Sequence, residues 1–169
     1  MPPRWVEGGA PLLIAPARWH RNGADTIEIL GDGSVLEGGT LRFTIDRVGR
    51  VTDDDYDAYA VLLPDGHVVG TDDLALGYVG LSNATPPGGK QAWLSLQPDG
   101  SVIFYQQSGE RIPLGKWLGC NGQSRRTCTL ITQIFTEQNL RVDPNYGPHG
   151  PYGPYGPRFG VGVGVGVGY

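Results

Sequence analysis

The chain has 169 residues, with 28 Gly and 14 Pro, 39% hydrophobic residues and a formal net charge of -4. That length predicts one domain plus appendages. The acidic balance, with no basic cluster larger than Arg125-Arg126, argues against a nucleic-acid partner, and the absence of any apolar run of about 18 residues predicts no membrane-spanning helix.

In chain order, residues 1–23 read as a Pro-rich approach whose tryptophans, Trp5 and Trp19, are expected on the surface or against a neighbour. The stretch "PLLIAPA" is short and broken by Pro, so it is a poor signal peptide. The protein is then either cytosolic or begins at a mature end with an added Met. From 24 to 142 strand signals dominate: "TIEIL" (26–30), "SVLEG" (34–38), "TLRFTIDRV" (40–48), "AYAVLL" (58–63), "HVVGT" (67–71) and "LGYVGLS" (76–82), followed by "QAWLSLQ" (91–97) and "SVIFYQQ" (101–107). Most alternate apolar with polar residues or are β-branched, and Gly, Pro, Asn or Asp punctuates them. In "TLRFTI", Leu41, Phe43 and Ile45 share one face. "CTLITQIFTE" (128–137) is the last candidate strand; the longer "CTLITQIFTEQNLR" (128–141) is the one helix-compatible segment, but its three Thr and lack of a strong cap place it among the strands, with a helical last turn. Trp93 and Trp117 flank apolar strand positions and are predicted core residues.

Three Asp-Gly pairs, Asp32-Gly33, Asp65-Gly66 and Asp99-Gly100, each lie between apolar strands and recur at 33 and 34 residues. Asp-Gly favours tight hairpins because Gly accepts positive φ without a Cβ clash. The spacing fits either a threefold repeated β-unit or separate hairpins that use the same turn chemistry. The fold class expected is all-β: an antiparallel hairpin-repeat domain, β-prism or sandwich- or barrel-like, over residues 24–142, with an extended tail over 143–169.

The third unit resembles the bulb-type mannose-binding lectins, whose motif is Gln-x-Asp-x-Asn-x-Val-x-Tyr. "QPDGSVIFY" supplies Gln97, Asp99, Ser101, Ile103 and Tyr105, with Ser101 in place of Asn. The resemblance implies a carbohydrate site at Gln97, Asp99, Ser101 and Tyr105, with glycans as partners. The other two units carry Leu30 or Leu63 for the Gln and Gly38 or Thr71 for the Tyr, so at most one site would survive. The rhythm of Gly49, Val51, Asp65, Gly66, Gly70, Gly77 and Val79 is also similar to bacterial β-hairpin repeat proteins, sometimes described as β-flowers.

Few residues suggest reaction chemistry. In "DDDYD", alternating Asp53, Asp55 and Asp57 offer oxygen ligands for Ca²⁺, the only cofactor suggested; a solvated acidic loop is the plainer reading. An EF-hand is excluded, since its Gly and Glu positions fall on Ala58 and Pro64. Asp72-Asp73 would lie nearby if the units stack. His20, His67 and His149 are scattered; His67 with Asp65 could be drawn as a base and its orienter, but no nucleophile is spaced to match. No hydrolase elbow, phosphate loop or zinc-protease motif occurs, and no catalytic residue is assigned. Cys120 and Cys128 read either as a loop-closing disulfide, which implies an extracellular or periplasmic setting, or as two thiols in or near a hairpin, which leaves the cytoplasm open.

The tail divides at Arg158. Residues 147–158 keep a Gly-Pro-X period suited to polyproline II, with Tyr152 and Tyr155 offered for contact. Beyond it Val161, Val163, Val165 and Val167 alternate with Gly, which in a strand puts all four on one face. Free, such a segment is either disordered or prone to associate. The function expected is a non-catalytic structural protein that assembles with itself through this tail, with a lectin-like module as the alternative and a hydrolase as the third reading.

Overall fold

A computed structural model of the chain describes residues 1–142. The predicted assembly residues Tyr152, Tyr155, Val161, Val163, Val165 and Val167 lie outside the described residues, as does His149.

The strands are β1 (Ala17–His20), β2 (Ile27–Ile29), β3 (Ser34–Glu37), β4 (Thr40–Ile45), β5 (Arg50–Asp53), β6 (Ala58–Leu62), β7 (His67–Gly70), β8 (Ala75–Val79), β9 (Asn83–Thr85), β10 (Leu94–Leu96), β11 (Ser101–Tyr105) and β12 (Arg111–Leu118). Each pairs antiparallel with its neighbours in sequence, and β1 closes the ring between β12 and β2. The result is an up-and-down barrel of the all-β hairpin class expected. Alternation sets the two faces: in β11, Val102 and Phe104 point inward while Ser101, Ile103 and Tyr105 are half-exposed outside. The closing strand β1 comes from the Pro-rich N-terminal stretch. Trp19 on that strand is fully buried, stacked on Trp117 at 5.7 Å, which corrects the expected surface position. Trp93 and Trp117 are core residues as predicted.

The segment read as a ninth strand is instead the helix α1 (Ser124–Val142). It follows β12 and is buried on nearly every face from Thr127 to Glu137, so it runs inside the barrel rather than along its wall. A helix in such a place needs no amphipathic stripe, and the tertiary setting overrides the weak propensity of Thr and Ile. The threonines are compatible because their hydroxyls find carbonyls. Thr129 and Thr132 donate to the carbonyls of Arg125 and Cys128 four residues back, at 2.8 Å each. Thr127 and Thr129 also reach Leu13 O at 2.7 Å and Leu81 O at 3.0 Å.

Gln133 fixes the register of helix against barrel. Its Nε2 donates to Leu76 O at 2.9 Å and Thr85 O at 3.1 Å, and its Oε1 accepts from Trp93 Nε1 at 2.7 Å. Trp117 Nε1 likewise donates to Thr132 Oγ1 at 2.9 Å. Cys120 and Cys128 form a disulfide, but it ties the loop after β12 to the second turn of α1 rather than bridging a hairpin.

The order of elements gives the barrel two distinct mouths. β12 ends at the mouth where α1 enters, and the β2–β3, β4–β5, β6–β7 and β10–β11 turns share it. Residues 9–13 lie across the same mouth: Gly9, Ala10 and Leu12 donate their N–H groups to Val48 O, Leu62 O and Arg47 O at 2.6, 2.7 and 2.9 Å. The helix, about 28 Å long at 1.5 Å per residue, leaves at the other mouth.

Replacing Gln133 by Ala removes three buried hydrogen bonds and opens a void, so a loss of about 3 kcal/mol is expected in denaturant titration. Gln133→Glu should also destabilise, because a carboxylate cannot donate to the Leu76 and Thr85 carbonyls.

Candidate functional site

The tight turns have one design. In the segments Leu30–Ser34, Asp46–Arg50, Asp53–Asp57, Leu63–His67, Gln97–Ser101 and Gln106–Glu110, the first residue's N–H donates to the fifth carbonyl and its own carbonyl accepts from the fourth N–H. The fourth residue has positive φ each time: Gly33, Gly49, Tyr56, Gly66, Gly100 and Gly109. This is the three-residue hairpin loop ending in a left-handed position. Glycine serves a second purpose at Gly33 and Gly100, where a Cβ would stand 2.2 Å from Ile45 O and 2.1 Å from Trp117 O. The three Asp-Gly turns sit between β2 and β3, β6 and β7, and β10 and β11, four strands apart around a ring of twelve. The sequence period of 33 and 34 residues is therefore a third of a circuit.

The turn aspartates are structural acceptors. Asp32, Asp65 and Asp99 each take the backbone N–H two residues on, from Ser34, His67 and Ser101, at 2.9, 3.0 and 2.9 Å. Those N–H bonds, then the Ser34, His67 and Ser101 side chains, hold the three carboxyls below their ordinary 3.8. The charges of His67 and Lys116 lower Asp65 and Asp99 a little further.

The predicted site residues fall into separate places. Gln97, Asp99 and Ser101 share the β10–β11 turn, where Gln97 Nε2 donates to Ser95 Oγ at 2.6 Å. Tyr105 lies at the far end of β11, about 13 Å along an extended strand, with the Arg111 guanidinium 5.8 Å from its ring. His67 pairs through Nδ1 with Asp65 Oδ2 at 3.0 Å and meets Tyr78 edge-on at 5.3 Å, but its side chain is 60% exposed. Asp53, Asp55 and Asp57 bring carboxylate oxygens within 4.8 Å of one another in the β5–β6 turn. This set could hold a cation, although Asp53 Oδ1 already accepts the Asp55 and Asp57 N–H groups at 2.9 Å each. Asp72 and Asp73 lie in the 3-10 turn between β7 and β8, at the same mouth.

Sequence reasoning missed the cluster where α1 leaves the barrel. Arg21, only 5% exposed, donates to Asp25 O at 2.6 Å and Glu37 Oε2 at 2.8 Å. Arg42 pairs with Glu37 Oε1 and donates to Gln138 Oε1 at 3.4 Å. Both guanidinium carbons sit 5.8 Å from the Phe135 ring centre. Two cations at the last turns of a helix oppose its negative dipole end, so they anchor it as well as pair with Glu37. Nothing in the spacing of residues 21, 37, 42 and 135 announces this; the closed ring brings them together.

The chain matches no protein-family profile, no curated protein and no solved structure.

Because the folded carboxyls of Asp32, Asp65 and Asp99 ionise below 3.8, their stabilisation is complete above that value and is lost as pH falls through their folded pKa. The D32N/D65N/D99N variant keeps an acceptor oxygen in each turn and should lose less Tm than wild type from about pH 4 down to about pH 2. Tyr56, at φ 63 in a position that glycine holds in five other turns, stores strain. Tyr56→Gly should raise stability by about 1 kcal/mol in urea titration.

Proposed function

We propose that the protein is a non-catalytic structural barrel that assembles with itself through residues 143–169. One observation carries this reading: α1 fills the barrel and ends at Val142, in the mouth where Arg21, Arg42 and Glu37 hold its last turns. The Gly-Pro-X and Val-Gly runs therefore follow, in sequence, a helix that is held at one end of the barrel. The lumen holds side chains of the helix, which leaves the outer surface and the mouths for contacts. A closed ring also has no free strand edge, so a Val-Gly segment gains partners only on another surface or another copy. The Cys120–Cys128 disulfide fits an oxidising compartment, extracellular or periplasmic.

Deleting residues 143–169 tests the proposal. Light scattering should give an assembly for the full chain and a single barrel for the truncated one. Equal masses would remove the assembly reading.

A further inference from the structure

A pocket of about 450 Å³ opens at the mouth where α1 enters, between the β8–β9 and β10–β11 turns and the loop that follows β12. Leu96, Pro98 and Cys120 give it an apolar lining, to which Ser82, Asn121 and Arg125 add polar groups. Arg125 is the one charged residue among those that line it. Its guanidinium is fixed in place: Nε donates to Ser82 Oγ at 3.0 Å, and Nη2 to the carbonyls of Leu96 and Gln97 at 2.6 and 3.0 Å. All three acceptors are neutral. Arg18, Arg21, Arg42 and Arg50, by contrast, each meet a carboxylate. Arg125 thus carries an uncompensated positive charge in a chain of net charge -4. Its Nη1 has no acceptor among the described residues, and neither have the Ser82 hydroxyl proton and the Asn121 side-chain amide. Asp99, beside Pro98, does not line the pocket; its carboxylate takes the Ser101 N–H at 2.9 Å.

We infer that this pocket binds a small organic carboxylate, one negative group on a compact apolar body. The carboxylate accepts from Arg125 Nη1, and the Ser82 hydroxyl and Asn121 amide offer it further donors in the same lining. The body lies against Leu96, Pro98 and Cys120. One free guanidinium amino group answers a single charge. A phosphate dianion brings a second charge that no lining residue meets, and it leaves the apolar lining unused. The volume is that of a small-molecule site, about 300–1,000 Å³. Because three bonds already hold Arg125 and still leave Nη1 free, binding costs little side-chain ordering. The site is independent of residues 143–169 and of the assembly reading.

The test is saturation-transfer NMR on the full chain, which works at any assembled mass, with benzoate as the probe. Saturable transfer to the benzoate ring is expected. Asn121→Asp places a negative charge in the lining without touching the three bonds of Arg125, and should weaken benzoate about tenfold or more at an unchanged Tm. Arg125→Gln should weaken it at least as much. Arg18→Gln, which removes a cation that does not line this pocket, should leave the affinity as it was. Absence of saturable transfer overturns the inference, as does unchanged affinity in Asn121→Asp. Benzyl alcohol binding as tightly as benzoate would show an apolar patch without anion recognition. Inorganic phosphate competing as well as benzoate would show a bare charge contact. Either result also overturns it.

Discussion

Everything in this molecule depends on filling the inside of a twelve-strand ring. About eight strands is the size at which inward side chains alone pack a barrel; a wider ring needs a further occupant or stays hollow. Here the chain supplies its own, α1, buried from Thr127 to Glu137. Because it is surrounded, its polar groups have no access to water and each must find a partner inside. Gln133, Thr132 and the indoles of Trp93 and Trp117 meet that demand with bonds between helix and wall. The same bonds set how deep the helix sits and which way it faces.

Several features hold that plug at its two ends. At the mouth it enters, the Cys120–Cys128 disulfide ties its second turn to the end of β12, and residues 9–13 cross the opening. Arg125 adds a latch there, donating to Ser82 Oγ at 3.0 Å and to the carbonyls of Leu96 and Gln97 at 2.6 and 3.0 Å. At the exit, Arg21 and Arg42 grip Phe135 and share Glu37. The barrel is thus a body with two unlike ends.

The strands and turns were largely legible in the sequence because their determinants are local. Alternation in "TLRFTI" and "SVIFY" and glycine after aspartate in three turns need only near neighbours. The short strands β1, β5 and β9 were missed for want of length, and β12 because Pro113 and Gly115 interrupt its pattern. The helix was misread because its stability comes from surroundings: Thr129, Ile131, Thr132 and Ile134 favour a strand in isolation. The exit cluster was invisible because Arg21, Glu37, Arg42 and Phe135 meet only when β1 closes the ring. Of the residues singled out for chemistry, Asp65 and Asp99 take the same turn geometry as Asp32, a role their Asp-Gly context already suggested.

Amide hydrogen exchange on the intact protein tests the central claim most directly. If α1 is the packed interior of the barrel, the amides of residues 128–137 should be as protected as those of the most protected strands, exchanging only by global unfolding. Fast exchange over 128–137 with the strands still protected would show a barrel that stands without its helix, and would contradict the account.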